Sequence, residues 1–274
     1  MNAPRIFSLY SGSTGNAFVI ASSAGTLLID AGKNAKKLCA ALEKACIAPE
    51  SIGAILLTHE HNDHTSALSV FLKKHPIPVH LPMGCESKLA NDPGVAPHLV
   101  VHPSKYTEKI CGMRVTSFPT PHDSRASVGY RIEIPDEKHP HLLGYATDIG
   151  YVSHEIEEAL LGCELVVLES NHDPDMLWNG SYPDILKQRI ASRRGHLSNG
   201  ESALFASRLY ENGARTFMLA HLSEENNDPT LAYDECFAAI SSNQVSILIA
   251  QPNDVTQMPV PTDTSTLTTL LAES

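Results

Sequence analysis

Long apolar runs are missing from this chain: nothing approaches the roughly 18 consecutive apolar residues of a membrane span. The N-terminal stretch MNAPRIFSLYSGS also lacks a basic region leading into a continuous apolar segment. Both absences predict a soluble, cytoplasmic protein with no membrane partner. Cysteine is scarce and scattered. Cys39, Cys46, Cys85, Cys111, Cys163 and Cys236 form no C-x-x-C pair, which excludes a disulfide framework and leaves reduced thiols. Positive charge is short as well, with 20 Lys and Arg against 31 Asp and Glu and a formal charge of −11. Broad electrostatic binding of nucleic acid needs Lys and Arg to neutralise phosphates, so any such grip has to be local. What remains is ample apolar material, 42% of 274 residues, enough for one large domain with a full core.

The pattern along the chain is mixed α/β. RIFSLYS, NAFVIAS and GTLLIDAG are short runs rich in β-branched and aromatic residues, separated by Gly and Ser, and read as consecutive strands. KNAKKLCAALEKACI follows with Leu38, Ala41, Leu42, Ala45 and Cys46 at helical spacing, and IGAILLT (52–58) reads as a buried strand. Further on, HTSALSVFLKKH, ESKLAND, EIEEALLG, YPDILKQRIASRRG, SNGESALFASRLYENG and DPTLAYDECFAAI are expected helices. IPVHLP, the pair within KICGMRVTSFPT, SVGYRIEI, HLLGYATDIG, LVVLES, TFMLAHL and VSILIA are expected strands. A meander of strands followed by strands mixed with helices points to two mixed sheets flanked by helices, a four-layer αββα sandwich. One domain is expected over 1–252. Residues 253–274, rich in Pro, Thr and Asp, read as a weakly ordered tail.

The sharpest signal is LLTHEHNDHTSA, residues 56–67, with three histidines and two carboxylates in six consecutive positions directly after an apolar run. With 14 histidines in 274 residues, three in one set pattern arise by chance at roughly one start in 8,000. His59 and His61 are two apart, so on extended chain they point to one side and can share a metal. Asp63 and His64 fall at the turn into the next helix, where they can face a second metal. His122 in TPHDS, Asp148 in YATDIG and His221 in LAHLS each lie at or just after the end of an expected strand. Seven side chains can therefore converge on one edge, and α/β folds place their chemistry at strand ends. Asp148 has two oxygens with which to bridge two ions, and a hydroxide held between them would be the nucleophile.

LLIDAG, THEHNDH, TPHD, YATDIG and LAHL resemble the five ordered motifs of the metallo-β-lactamase superfamily, spread from Asp30 to His221. The resemblance implies two divalent ions, zinc first and manganese as the alternative. It implies His59, His61 and His122 as ligands of one ion and Asp63, His64 and His221 of the other. Asp148 is then the bridging carboxylate and Asp30 the buried acid behind the histidine loop. Members that hydrolyse β-lactams usually carry Cys where this chain has Asp148, so that activity is not expected. Flavodiiron members replace a histidine of the first motif by Glu, which this chain does not.

SGSTGN (11–16) is a small-residue loop whose backbone N–H groups could face an anion, with Ser13 and Asn16 as candidate substrate contacts. Glu169 ends an expected strand and His196 follows an expected helix, so a carboxylate can orient an imidazole as proton donor beside the metals. Lys187, Arg189, Arg193 and Arg194 precede His196 in an otherwise acidic chain. Arg193 and Arg194 are the expected phosphate contacts, and a solvated helix flank is the alternative. SGSTGN, ESNHD and GHLSN together resemble the YycJ (WalJ) branch of the superfamily, described as five-prime-to-three-prime DNA exonucleases, although that branch commonly reads SGSSGN and HDA. The Glu169 and His196 pairing also resembles the acid–histidine dyad of RNase Z. The long tRNA-gripping arm of RNase Z has no counterpart here.

The expected function is thus a dinuclear phosphodiesterase acting on DNA ends, DNA being favoured over RNA, with Asp63, Glu169 and His196 as its catalytic set. The alternative is hydrolysis of a small or cyclic phosphodiester, or of a thioester as in glyoxalase II. A metal-bound scaffold is the non-enzymatic alternative. Nothing in the sequence fixes the oligomeric state, and a homodimer is compatible with it.

Overall fold

The computed structural model of the chain describes residues 3–137 and 139–261. In chain order its first half holds β1 (Arg5–Tyr10), β2 (Ala17–Ser22), β3 (Gly25–Ile29), α1 (Ala35–Lys44), β4 (Ile52–Leu56), α2 (Asn62–Thr65), α3 (Leu68–Lys74), β5 (Val79–Pro82), α4 (Glu86–Leu89) and β6 (Leu99–His102). There follow β7 (Thr107–Ile110), β8 (Met113–Pro119), β9 (Val128–Ile134), β10 (His141–Ala146), α5 (His154–Leu160), β11 (Leu165–Glu169), α6 (Pro174–Asn179) and α7 (Asp184–Ile190). The chain continues through α8 (Asn199–Glu211), β12 (Thr216–Ala220), α9 (Pro229–Ile240), β13 (Ser246–Ile249) and β14 (Thr256–Met258).

The strands form two seven-stranded sheets, ordered β14-β1-β2-β3-β4-β5-β6 and β13-β12-β11-β10-β9-β8-β7. Because strand side chains alternate, each sheet has two faces to cover. Leu27 and Ile29 of β3 join Met113, Val115, Tyr130 and Val167 of the other sheet in a core between the sheets, while Leu28 turns outward onto Leu38, Leu42 and Phe71 of α1 and α3. The second sheet's outer face packs Val166, Leu168 and Phe217 against Phe205 and Leu209 of α8 and Ile156 and Leu160 of α5. The result is the expected four-layer αββα sandwich. Among the described residues, no helix is long and apolar enough to cross a membrane.

Several expected elements differ in extent. The helix foreseen from His64 to His75 is broken into α2 and α3, because the chain there is tied to the end of β3: Ala31 N donates to His64 O (2.7 Å) and Ala67 N to Ala31 O (2.9 Å). α7 stops at Ile190, and residues 191–195 form a turn in which His196 N donates back to Ile190 O (2.9 Å). The segment from 253 includes a further strand, β14. Met258 is buried between the sheets and pairs with Ile6 as β14 lies antiparallel to β1, an edge that would otherwise leave unpaired backbone donors. The remainder of the expected tail, 262–274, lies outside the described residues.

Candidate metal centre

β3 and β4 run parallel with Ile29 opposite Leu56, so the residues that follow them emerge at one edge. β10, β11 and β12 are also parallel, with Ala146 opposite Leu168 and Glu169 opposite Ala220. Asp30, Asp148 and His221, each just beyond a strand, adopt left-handed backbone (φ 60°, 56° and 58°). Non-glycine residues hold such conformations at a cost of roughly 1–3 kcal/mol, and they cluster where a chain must aim a side chain. Gly32 makes the close approach between β3 and the histidine loop feasible: a Cβ there would lie 1.9 Å from Asp63 O.

The histidines are then fixed one by one. Fully buried Asp30 accepts from Thr58 N at Oδ1 (2.9 Å), and from Thr58 Oγ1 (2.9 Å) and His64 Nδ1 (2.8 Å) at Oδ2. His59 Nδ1 donates to Thr58 Oγ1 (3.0 Å), His122 Nδ1 to Gly195 O (3.3 Å) and His221 Nδ1 to Glu169 Oε1 (2.8 Å). In all four rings the Nδ1 proton has an acceptor, which leaves Nε2 as the nitrogen a metal would take, the way metal-bound imidazoles are usually held. Nε2 of His59, Nε2 of His221 and Oδ2 of Asp148 are buried with no hydrogen-bond partner. Buried polar atoms are nearly always satisfied. Three orphans in one cluster fit the ligands of a cation better than a packing defect.

The donors gather in overlapping groups. Ligand atoms of His59, His61 and His122 lie within 4.8 Å of one another, as do those of Asp63, His64 and His221, and those of His59, His64 and Asp148. The charge balance points the same way. Burial and the neighbouring His64, His122 and His61 push the His59 pKa well below the usual imidazole value. Burial also lowers His122. Burial would do the same to His64, but Asp30, Asp148 and Asp63 outweigh it and hold that ring well above its usual value. His221, equally buried, is pushed up to about 10 by Asp148, Asp63 and Glu169. Conversely, burial would raise Asp63 and Asp148, yet His64 and His221 hold both below the usual carboxylate range. The cluster needs positive charge among its carboxylates; protons on His64 and His221 supply it, and divalent cations would displace them.

Glu169 does more than expected. Its Oε1 accepts from His196 Nδ1 (2.8 Å) and also from His221 Nδ1 (2.8 Å), while Oε2 accepts from Ile149 N (2.7 Å) and Leu197 N (3.2 Å). One buried carboxylate thus orients both a candidate ligand and the candidate proton donor. His196 Nδ1 is 3.9 Å from Asp148 Oδ1, and its ring lines the cleft over the cluster, a cavity of about 260 Å³.

The other expected contacts divide. Ser13 is exposed and lines the cleft. Asn16 is buried and works inside the loop: its Oδ1 accepts from Gly12 N (2.9 Å), its backbone N donates to Asp63 O (2.7 Å), and its Nδ2 lies 3.1 Å from His64 Nε2. Arg193 and Arg194 do not line the cleft. Arg194 donates to His122 O (3.1 Å) and Ser124 O (3.5 Å), and Arg193 stacks on Tyr151 at 3.9 Å. The turn that carries them is pressed onto Gly150, where a Cβ would meet Arg193 C at 2.4 Å. The cation that reaches the cleft is Arg189, paired with Asp123. Sequence reasoning missed Thr58, which a strand-end Thr beside His59 could have signalled. It also missed Tyr182, Leu186 and Ile190, which build one cleft wall from α7 and its approach, and no local pattern marks them.

Fold and cluster together define a two-sheet hydrolase scaffold with a His/Asp metal-binding edge. The chain matches the beta-lactamase superfamily domain over residues 26–222 and belongs to that family. It is 34% identical over 229 residues to the exodeoxyribonuclease WalJ of Streptococcus pneumoniae, covering 82% of this chain and 84% of the relative. It is 33% identical over 226 residues to the exodeoxyribonuclease YycJ of Bacillus anthracis, with the same coverage of 82% and 84%. Among solved structures, the metallo-beta-lactamase fold protein YhfI of Bacillus subtilis superposes with a TM-score of 0.69 at 18% identity, covering 93% of this chain and 100% of that one.

Proposed function

We propose that this protein is a metal-dependent phosphodiesterase that removes nucleotides from DNA ends, the activity for which its exodeoxyribonuclease relatives are named. The observation that carries the reading is the Glu169–His196 pair: a proton donor held beside a metal cluster but outside its orphaned ligand atoms. His59, His61 and His122 would hold one ion and Asp63, His64 and His221 a second, with Asp148 between them. Imidazole-rich ligation suits zinc, and the carboxylates also admit manganese. When bound, two such ions supply a hydroxide nucleophile and neutralise charge developing on the phosphate.

The chain's own residues do the rest. Glu169 accepts the His196 Nδ1 proton, so Nε2 faces the cleft and can deliver a proton to the departing sugar oxygen. Arg189 offers charge to a non-bridging or flanking phosphate oxygen. Tyr182, Leu186 and Ile190 offer an apolar wall for a base. A cleft of about 260 Å³ suits one nucleotide at a strand end better than a continuous duplex track.

Purified protein with defined zinc or manganese, assayed on end-labelled DNA, RNA and a generic small phosphodiester, tests this. Stepwise release of nucleotides from DNA is expected. Absence of hydrolysis on both nucleic acids, with rapid turnover of a cyclic phosphodiester or a thioester, overturns the substrate assignment.

A further inference from the structure

A second His-x-His sequence, His139-Pro140-His141, sits at the opposite end of β10 from Asp148. Ligand atoms of His139, His141 and Glu164 lie within 4.8 Å of one another. His141 and Glu164 are buried, and His139 is half-buried. Each nitrogen of His141 has a carboxylate beside it: Nδ1 is hydrogen-bonded to Glu164 Oε1, and Nε2 lies 3.9 Å from Asp136 Oδ2. That distance is too long for a hydrogen bond and suits two donors on one cation. The hydrogen bond from Nδ1 to Glu164 fixes the ring so that Nε2 faces Asp136, the arrangement in which a carboxylate orients a ligand imidazole.

The ring geometry repeats that of the main cluster. The centroids of His139 and His141 are 5.0 Å apart with planes at 61°, against 5.1 Å and 69° for His61 and His122. A plain buried ion pair would explain His141 with Glu164 but not why a second imidazole stands edge-on to it at the spacing of co-ligands. Glu164 is anchored independently, since its backbone O accepts from Arg215 N (2.9 Å) and Thr216 N (3.1 Å), so one donor is fixed by the sheet before any ion arrives.

We propose that His139, His141 and Glu164, with Asp136 at the rim, form a separate site for a borderline divalent cation such as Zn2+, pinning the β9–β10 hairpin. Two imidazoles and a carboxylate match the donor preferences of zinc and leave a position open for water or Asp136. The strand between this site and Asp148 spans the sheet, so the two centres are independent.

The test is the zinc content of full-length protein at equilibrium with micromolar free Zn2+, measured for the wild type, His139→Ala and Glu164→Gln. Each variant is expected to hold one ion fewer per chain than the wild type, and His139→Ala is expected to melt lower only when zinc is present, with its DNA hydrolysis per chain unchanged. Equal zinc content in wild type and His139→Ala overturns the site. Loss of hydrolysis in step with the lost ion would place that ion in the main cluster and overturn it equally. If Glu164→Gln is too unstable to purify, His139→Ala decides alone, because its half-exposed ring is not part of the core.

Discussion

Each sheet delivers to the edge where the ligands gather a fully buried carboxylate that orients histidines, Asp30 from one and Glu169 from the other, and the two are used differently. Asp30, after β3, accepts from Thr58 and from His64, both within the histidine loop. Glu169, at the end of β11, accepts from His221 and from His196, one in the metal cluster and one in the cleft. Burial raises the pKa of Asp30, and the contacts of His64 and Thr58 only partly offset it. Glu169 is as deeply buried, yet two imidazoles hold it below the usual carboxylate range. On the proposed reading Asp30 supports metal geometry alone, whereas Glu169 couples metal geometry to proton delivery, so breaking it should damage both.

The largest effect that sharpens this contrast comes from the residue between the two halves. Asp148→Ala is expected to remove metal and hydrolysis together, because its carboxylate clusters with His59 of one ligand group and His64 of the other. Two tightly retained ions in an inactive protein would show that Asp148 does not bridge. His59→Ala should behave similarly, since it leaves the first ligand group incomplete.

Next in size is His196→Ala, which should keep its ions and lose roughly 100- to 10,000-fold in rate on DNA, the usual range for a positioned proton donor. The loss should be smallest on a nitrophenyl phosphodiester, whose leaving group needs little protonation. Equal losses on both substrates would mean that the proton comes from elsewhere. Glu169→Gln breaks the comparison from the other side. A Gln amide must set its N–H2 against either the Ile149 and Leu197 amides or the two Nδ1 protons, so both imidazoles shift. Lower metal content and a slower rate are expected together, where Asp30→Asn should lower metal content without the leaving-group dependence.

A smaller effect, about tenfold per pH unit for each proton displaced, is expected in metal affinity. In the metal-free protein His221 keeps its proton up to about pH 10, above its ordinary value, and His64 is raised as well. Binding must expel those protons, so apparent affinity should climb as pH rises from about 6.5 toward 10. Proton release measured by calorimetry in two buffers of different ionisation enthalpy checks the count. No release at neutral pH would return both rings to the neutral state.

The same two halves explain what the sequence disclosed. His59, His61, Asp63 and His64 are contiguous because one strand-to-helix turn carries them, so spacing alone exposes them. His122, Asp148, Glu169, His196 and His221 are spread over 100 residues, one or two per connection, and become a cluster only when β10, β11 and β12 lie side by side. The strand-end positions of all but His196 were legible; that Glu169 serves two rings was not, since neither ring is near it in sequence. The two neighbouring arginines show what composition leaves open. Arg193 and Arg194 are basic and close to His196, but a turn pressed onto Gly150 faces them away from the cleft.

The smallest expected effect concerns those arginines. Arg189 lines the cleft and is exposed beside Asp123, so its charge is available to a phosphate. Arg189→Ala should weaken DNA binding and reduce the salt dependence of log affinity by about 0.7–0.9, the slope of one single-strand or duplex phosphate contact. Turnover of a small phosphodiester should change little. Arg194, by contrast, spends its donors on the carbonyls of His122 and Ser124, and Arg193 lies flat on Tyr151. Replacing both by Ala should leave the salt slope near its original value and instead loosen the loop that carries His122, seen as weaker metal retention. A slope that flattens for the Arg193/Arg194 pair and not for Arg189 would mean that the DNA approaches over that turn, and the cleft wall built by α7 would no longer be the substrate side.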